Sequence, residues 1–241
     1  MHKGLTALAG AIALAVVVPT LAAASTVGGL RHAPIHKLTN SSSTNWSGYA
    51  ATGNRFTSIS ASWTQPTAIC SFGTSYSSFW VGLDGDTSNT VEQTGSSADC
   101  SSANVPSYYA WYEMYPKYPS NLSNPVQPGD AFTASVTTDG VGRFTLTISD
   151  TSEPWTFTTT QRLNHAKLAS AEVIAEAPSS RSGVLPLTNF GTVNFSGATA
   201  NGASLSTFNP DPITMVSGST TKAEPSGISD SGSFSVDWRH S

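Results

Sequence analysis

Charged side chains are scarce in this chain of 241 residues. Only 11% of its residues are charged, 15 acidic and 11 basic, whereas an average soluble protein carries roughly 25%. Serine and threonine fill 68 positions, so most of the polar surface must be hydroxyl rather than ionic. A slight acidic excess excludes a nucleic-acid partner, which would require a basic surface. The 6 tryptophans, 7 tyrosines and 10 phenylalanines argue against ordinary disorder.

Cysteine is nearly absent as well. Cys70 and Cys100 are the only two, and an even pair is typical of a disulfide if the chain is exported, as its amino-terminal residues indicate below. The loop that such a bond closes would stabilise the fold by roughly 3 kcal/mol through the entropy of the unfolded chain. A catalytic cysteine is disfavoured, because neither residue has a histidine nearby in the sequence.

Several hydrolase signatures are missing. The chain has no G-x-S-x-G turn to expose a serine and no H-E-x-x-H helix to hold zinc. We predict neither a metal nor a cofactor. One Asp-Ser-Gly tripeptide begins at Asp230, but an aspartic peptidase needs a dyad of two aspartates. Carboxylates in some other arrangement remain as candidates for catalysis.

The amino-terminal 24 residues predict a secretory signal. A short basic start, an apolar run and a stretch of small residues ending near Ala24 form the pattern of a cleaved leader, which implies a secreted protein. A membrane anchor is the alternative, but the run is too short and no second span follows. We therefore expect no membrane association after cleavage.

A basic segment follows the signal. Residues 25–43 contain Arg31, His32, His36 and Lys37 and no acidic residue, which indicates a leader or pro-segment. From 44 to 241 no linker or shift of composition divides the chain, so we predict one domain. Sequons occur at four asparagines: Asn40, Asn45, Asn121 and Asn194.

Short runs rich in threonine, valine and aromatic residues predict β-strands in this domain. Ile59, Ala61 and Trp63, for example, alternate with serines as a half-buried strand requires. The pattern favours an all-β sandwich. The predicted strands are 56–64, 77–84, 107–115, 131–138, 143–149, 155–160, 190–195 and 233–238.

Two segments carry glutamates of interest. If 107–115 is a strand, Glu113 shares a face with tyrosine and tryptophan rings, where burial would shift its pKa; the alternative is an exposed glutamate beside an aromatic patch. Residues 161–177 favour a helix by propensity. They fit equally a strand from 170 to 177, with Glu172, Ile174 and Glu176 on one face.

Seven motifs, taken together, resemble the glutamic peptidases, or eqolisins. The resemblance covers nearly all of residues 45–217 and implies a concanavalin-like, jelly-roll sandwich of two antiparallel, seven-stranded sheets. It also implies a secreted endopeptidase that cleaves polypeptides at acidic pH, and we expect it to be a monomer. The motifs are NWSGY at 45–49, ISASWTQPT at 59–67, FWVGLDGDT at 79–87, VEQTG at 91–95, YYAWYEMYP at 108–116, AEVIAE at 171–176 and FGTVNF at 190–195.

The resemblance places the catalytic pair on Gln93 and Glu176. Glu176 would act as the general base that activates water, and the Gln93 amide would donate to the oxyanion of the tetrahedral intermediate. Glu113 would support the glutamine. For the two tryptophans among the cleft-lining positions, packing in the core is the alternative. The implied cleft-lining, substrate-binding positions are Trp46, Asp84, Trp111, Glu113 and Tyr115.

Other functions fit the same residues. A glycoside hydrolase would use Glu113 and Glu176 as its two carboxyl groups, and a noncatalytic, lectin-like module would stack sugars on the aromatic face. A regulatory hypothesis also follows from charge: the basic leader would contact the cleft acids Asp84, Glu113 and Glu176 until acid neutralises them. The alternative is a leader that makes no contact with the cleft.

Overall fold

The computed structural model describes residues 1, 30–32, 42–71, 73–86 and 88–241, so the predicted signal and most of the leader lie outside the described residues. Every regular element of the described residues is a β-strand except for one 3₁₀ helix at Leu205–Phe208. Numbered in chain order, the strands are β1 (Ser42–Ser43), β2 (Trp46–Thr52), β3 (Ser58–Thr64), β4 (Ser78–Leu83), β5 (Val91–Cys100), β6 (Pro106–Tyr115), β7 (Ser120–Asn121), β8 (Ala131–Thr138), β9 (Arg143–Asp150), β10 (Trp155–Arg162), β11 (Ser170–Glu176), β12 (Ser179–Ser180), β13 (Gly183–Val184), β14 (Thr192–Ala200), β15 (Ala203–Ser204), β16 (Asp211–Ser217), β17 (Thr220–Pro225) and β18 (Phe234–Trp238).

Fourteen of the eighteen strands form two layers of seven, and the prediction of an all-β sandwich is confirmed. The first layer runs β10-β9-β8-β3-β14-β18-β17 and the second runs β16-β2-β11-β4-β5-β6-β7, with antiparallel neighbours throughout. The two layers are joined, because β16 pairs with β2 at Asp211–Ile213 and with β17 at Met215–Ser217. One hydrogen-bonded path therefore links what the sequence predicted as two sheets.

The helix considered for residues 161–177 is absent, and the strand alternative is confirmed. Residues 170–176 form β11, which lies between β2 and β4 and is buried at every residue. Hydrogen-bonded ladders on both sides of a central strand outweigh the helical preference of its alanines and glutamates. Its Glu172, Ile174 and Glu176 share one face.

The hydrophobic core fills the space between the layers. From the second layer the core takes the strand faces that point toward the first layer, for instance Val81 of β4 and Val173 of β11. These side chains belong to the same apolar cluster as Leu146 and Val136 of the first layer. A second apolar cluster lies on the opposite side of the second layer and consists of Trp46, Ala50, Trp80, Val91, Trp111, Ile174 and Ile213. Antiparallel sheets commonly leave one face in water. The burial of this second cluster therefore shows that the outer face of the second layer is covered.

A disulfide joins Cys70 to Cys100 at the end of β5, as the sequence predicted. Within the described ranges no helix is long and apolar enough to cross a membrane. No group of three or more histidine, cysteine or acidic side chains in the same ranges is placed to hold a metal.

Hydroxyl groups cover the outward face of the first layer. In one cross-strand row, Thr199, Ser60, Ser135, Thr147 and Thr158 follow one another across five strands. Neighbours in such rows bond directly, as between Thr147 and Thr158, whose oxygens lie 3.1 Å apart. The abundance of serine and threonine in the sequence therefore reflects a sheet face whose polar groups are mostly uncharged hydroxyls, with the paired Arg143 and Arg162 near one end of β9 and β10.

Candidate active site

The covered face of the second layer is built from cross-strand rows. One row places Gly82 of β4 between Glu172 and Gln93, and Glu113 follows Gln93 on β6. The next row runs Ile174, Trp80, Gly95, Trp111, and the third begins with Trp46 and Glu176. Alternation along each strand thus directs the predicted catalytic residues to the same side of the sheet.

Gly95 lies between two tryptophans in the second row. A Cβ atom there would lie 2.2 Å from the carbonyl oxygen of Phe79 and 2.6 Å from the Cβ of Trp80. No side chain fits at that distance. Only glycine therefore allows β5 to approach β4 this closely beside Trp80.

Glu176 is fully buried and held at both carboxyl oxygens. Its Oε2 accepts from Trp80 Nε1 at 2.7 Å, and its Oε1 accepts from Asn45 Nδ2 at 3.1 Å. Burial is the main cause that raises its pKa well above the ordinary value, the neighbouring Glu113 adds to the rise, and the donors from Trp80 and Asn45 oppose it. The carboxyl group is thus fixed in place, and its burial favours the protonated form.

Gln93 and Glu113 face each other across β5 and β6. Gln93 Nε2 donates to Glu113 Oε2 at 2.9 Å, so the glutamate fixes the orientation of the amide. Both side chains are fully buried. Burial also raises the pKa of Glu113 well above its ordinary value, against the opposing effect of hydrogen bonds from His32 and Gln93.

His32, from the predicted leader, occupies the space between these groups. Its backbone N–H donates to Glu113 Oε2 at 3.1 Å, and its carbonyl oxygen accepts from Gln93 Nε2. The imidazole stacks on Trp111, and its Nδ1 lies 3.8 Å from Glu176 Oε2. His32 therefore touches both members of the predicted catalytic pair.

Arg31 is held beside the site by backbone and by aromatic rings. Its N–H donates to the carbonyl oxygen of Ser179 at 2.9 Å, and the Ser179 N–H donates back to the Arg31 carbonyl at 3.0 Å. The guanidinium carbon lies 4.6 Å from the ring centre of Tyr118 and 6.0 Å from that of Tyr115. These are cation–π distances.

The remaining predicted positions divide into two groups. Trp46 packs edge-on against Trp80, and Trp111 donates its indole N–H to Ser97 Oγ at 2.9 Å, so both belong to the site face. Asp84 follows β4 and serves a loop: its two oxygens accept the N–H groups of Leu168 and Ala169, each at 2.8 Å. Its carboxylate is thereby committed to the backbone that leads into β11.

Glu172 is buried on the same strand face as Glu176. Neither of its oxygens has a hydrogen-bond partner among the described residues, and burial raises its pKa well above the ordinary value. Glu92 on β5 is similar: burial, and then the nearby Asp84, raises its pKa to about 8. Both residues are therefore neutral at acidic pH.

Two contributors escaped the sequence prediction. Asn45 belongs to a glycosylation sequon, yet its side chain is fully buried and donates to Glu176. Trp80 belongs to the FWVGLDGDT motif, and its indole N–H makes a shorter hydrogen bond to Glu176 than Asn45 does. Alternation along β4 is the signal that could have identified Trp80. Trp80 pairs with Ile174 of β11, and Ile174 lies on the same face as Glu176.

Comparison with known proteins assigns the family. Residues 44–238 match the sequence profile of the Peptidase A4 family. The chain belongs to this family, the glutamic peptidases, and is an endopeptidase. The resemblance inferred from the seven motifs is confirmed, and the glycoside hydrolase and lectin-like alternatives are set aside.

Individual relatives agree with the assignment. The chain is 29% identical to Aspergillopepsin-2 of Aspergillus niger over 198 residues, which is 72% of this chain and 70% of that protein. Scytalido-glutamic peptidase, solved with a transition state analog inhibitor, superposes with a TM-score of 0.70 at 23% identity, covering 81% of this chain and 98% of that one. Aspergilloglutamic peptidase from Aspergillus niger superposes with a TM-score of 0.61 at 26% identity, covering 68% and 99%.

Proposed function

We propose that this chain is a secreted, acid-acting glutamic endopeptidase in which Glu176 activates the water and Gln93 stabilises the oxyanion. The observation that carries the proposal is the convergence of both side chains on one residue of a bound backbone segment. Gln93 donates to the carbonyl oxygen of His32, and Glu176 lies beside its ring. The peptide carbonyl of His32 thus lies beside the two groups that would act on a substrate carbonyl.

Glu176 suits the role of general base. Hydrogen bonds from Trp80 and Asn45 fix its carboxyl group and favour the carboxylate. Burial is the chief cause of its raised pKa, so departure of the leader and entry of water lower that pKa toward the acidic range. The carboxylate then takes a proton from water as the oxygen attacks the carbonyl carbon, and returns it to the leaving nitrogen when the C–N bond breaks.

Gln93 suits the role of oxyanion donor in acid. An amide does not ionise, so its N–H groups remain donors at every pH at which the enzyme folds. Glu113 is a positioning residue, because its Oε2 accepts a hydrogen bond from Gln93 Nε2. This bond keeps Nε2 directed at the carbonyl oxygen of His32. The aromatic face formed by Trp46, Trp111 and Tyr115 would bind the substrate.

Secretion and the division of the chain into segments are proposed from the amino-terminal residues and the disulfide. Residues 1–24 would direct secretion, 25–43 would form a pro-segment, and 44–241 would form the peptidase domain, acting as a monomer on polypeptide substrates without a cofactor. The bond between Cys70 and Cys100 fits an oxidising compartment outside the cell.

The test is hydrolysis of a denatured protein at acidic pH. Gln93→Ala and Glu176→Gln are expected to reduce kcat by about 1,000-fold or more while the thermal transition stays nearly unchanged. Gln127→Ala and Glu153→Gln serve as matched controls, since both residues are exposed. If either site variant keeps more than about 5% of the wild-type rate, that residue has no place in the mechanism.

A further inference from the structure

A pocket outside the candidate active site lies beside β16, where that strand meets β1 and β17. Its volume is about 460 Å³, which is within the range of pockets that hold small molecules. Its polar lining includes Thr44 and Lys222. None of the residues assigned to the candidate active site lines it, so a ligand bound there would be separate from the substrate.

A β-bulge in β17 brings Lys222 to this pocket. Met215 of β16 pairs with Ala223. The next residue of β16, Val216, pairs with Thr221, which leaves Lys222 as the extra residue of β17. A bulge turns a side chain away from the direction that regular alternation would give it. Lys222 is only 5% exposed and lines the pocket, whereas the adjacent Ala223 belongs to the main core.

The residues that follow β18 hold this bulge in place. The carbonyl oxygen of Lys222 accepts the N–H of Arg239 at 2.7 Å and the N–H of His240 at 3.0 Å. Ser241, which also lines the pocket, donates its hydroxyl to the carbonyl oxygen of Leu187 at 3.1 Å. The backbone therefore fixes the place from which the Lys222 side chain extends.

Lys222 has no anionic partner among the described residues. The acids on its own strand and on the neighbouring β18, Glu224 and Asp237, lie 2.8 Å and 3.2 Å from Arg239 instead. Burial lowers the pKa of Lys222, and no acidic neighbour in the described ranges counters this shift. Burying an ammonium group is costly unless an anion compensates its charge. A ligand with an anionic group would supply that compensation.

Thr44 brings a second unpartnered group to the same pocket. It follows β1, in which Ser43 pairs with Met215 of β16. Its Oγ1 is buried and makes no hydrogen bond to a described residue, whereas most buried hydroxyls have a partner. A carboxylate oxygen accepts from hydroxyl and ammonium donors alike, so Thr44 and Lys222 favour the same kind of ligand.

The remaining lining of the pocket is largely apolar. Val184 ends β13, Leu185 and Pro186 follow it, and Val216 belongs to β16. Such a surface binds the hydrocarbon part of a ligand, which a simple inorganic anion does not have. The pocket thus combines one cation and one hydroxyl with apolar surface, and this chemistry suits a small organic acid.

We propose that this pocket binds the carboxylate of a small ligand with an apolar body, with Lys222 as its counter-ion and Thr44 as a hydrogen-bond donor. A free organic acid and the carboxyl end of a short peptide share this chemistry. The proposal does not depend on the catalytic roles of Gln93 and Glu176, and it can fail without affecting them.

The first test is titration of the full chain with 4-methylpentanoate near pH 6, followed by the NMR signals of the ligand's methyl groups. We expect saturable binding in the millimolar range. The neutral 4-methylpentanamide, which has the same body, should bind at least about tenfold more weakly. Inorganic phosphate should not displace the acid at equal concentration. Absence of saturable binding, equal affinity for acid and amide, or displacement by phosphate overturns the proposal.

Substitutions locate the binding at this pocket. Lys222→Met keeps the length of the side chain and removes its charge, so it should weaken binding of 4-methylpentanoate by about 10- to 100-fold. Thr44→Val removes the hydroxyl and should weaken binding by about 3- to 10-fold. The controls Lys167→Met and Thr158→Val, at exposed positions, should bind as wild type. Wild-type affinity in Lys222→Met would exclude the assigned site.

The thermal transition of Lys222→Met without ligand checks the premise of an unpaired charge. Because the ammonium has no described partner, its removal should leave Tm unchanged or raise it. A lowered Tm would show that the lysine already has a partner within the protein, and the proposal would then be wrong.

A second ligand pair distinguishes the two sources of the carboxylate. Acetyl-alanyl-leucine carries the carboxyl end of a peptide, and its amide is the neutral control. Tighter binding of this peptide than of 4-methylpentanoate, lost in Lys222→Met, would assign the pocket to peptide ends. Weaker binding would assign it to free organic acids, and peptide binding unchanged by Lys222→Met would count against the peptide source.

Discussion

His32 and Trp111 stack with 3.9 Å between their ring centres, which places a titratable ring inside the site of an enzyme proposed to act in acid. Burial lowers the pKa of the bound His32 from 6.5 to about 3. The charged groups facing it are the carboxyls of Glu113 and Glu176, whose own pKa values are raised, and the neighbouring Arg31. The ring therefore binds in its neutral form.

Because His32 binds in its neutral form, we predict that acid weakens the binding of the leader to the site. Binding of neutral His32 is favoured above about pH 6.5 and weakens as pH falls toward 3, by up to about tenfold per pH unit. The measurement is Trp fluorescence on titrating the processed enzyme with an amidated peptide of residues 25–32, across pH 3 to 7. The same peptide carrying His32→Phe should bind with little pH dependence, and equal pH slopes for the two peptides would contradict the prediction.

A second prediction concerns stability at neutral pH. Burial raises the pKa of Glu92 to about 8 and that of Asp99 to about 7, and it also raises that of Glu172. Because these folded-state pKa values exceed the unfolded ones, the stability they contribute is present below about pH 4 and is lost as pH rises through 7 and 8. The Tm should therefore be highest in acid and fall between pH 5 and 9.

Calorimetry on one variant and one control tests this dependence. Glu92→Gln replaces an acid that must ionise by a neutral amide, so it should flatten the fall in Tm above pH 6, whereas the exposed Glu153→Gln should not. We also expect the domain to remain folded near pH 3. A cooperative loss of near-UV circular dichroism between pH 5 and 3 would refute that expectation.

The hydrogen bonds to Glu176 lead to a third prediction. Asn45→Ala and Trp80→Phe each remove a donor that favours the carboxylate, so the pKa of Glu176 should rise. The acidic limb of the kcat profile should then move to higher pH, with kcat at the optimum lower by about 10- to 100-fold. Asn194→Ala, at an exposed position of β14, is the control. A lower kcat with an unshifted limb would indicate a merely structural role for these residues.

A fourth prediction separates this enzyme from the aspartic peptidases. Asp230 begins the lone Asp-Ser-Gly tripeptide, and it lies exposed in a turn before β18. Asp230→Ala should therefore retain full activity, and pepstatin, which targets the aspartate dyad, should fail to inhibit. Potent inhibition by pepstatin would favour the aspartic mechanism.

The sequence predicted the parts of the fold that depend on local pattern. All eight predicted strands exist, since alternating apolar residues such as Ile59 and Trp63 report which face is buried. The sequence did not predict β2, β5, β16 or β17. In β5 the glycine, serines and acids have low strand propensity, and its pairing with β4 and β6 makes it a strand.

The site was predictable only in part, because many of its contacts join residues that lie far apart in the sequence. Glu113 could be placed among aromatic rings by counting along one strand. The contact of His32 with Glu113 joins residues 81 apart in the sequence, and the bond from Asn45 to Glu176 spans 131 residues. No local pattern encodes such pairs, because the intervening strands must assemble first.

The hydroxyl rows on the first layer have a consequence for how the protein behaves in solution. Proteins tend to associate when their net charge is near zero, and the pI expected from this sequence is about 5.6. Serine and threonine hydroxyls such as those of Ser60 and Thr147 neither gain nor lose protons between pH 2 and 9, so water binds this face equally well throughout. Crossing its isoelectric point on the way from a neutral to an acidic medium should therefore cost the enzyme little solubility.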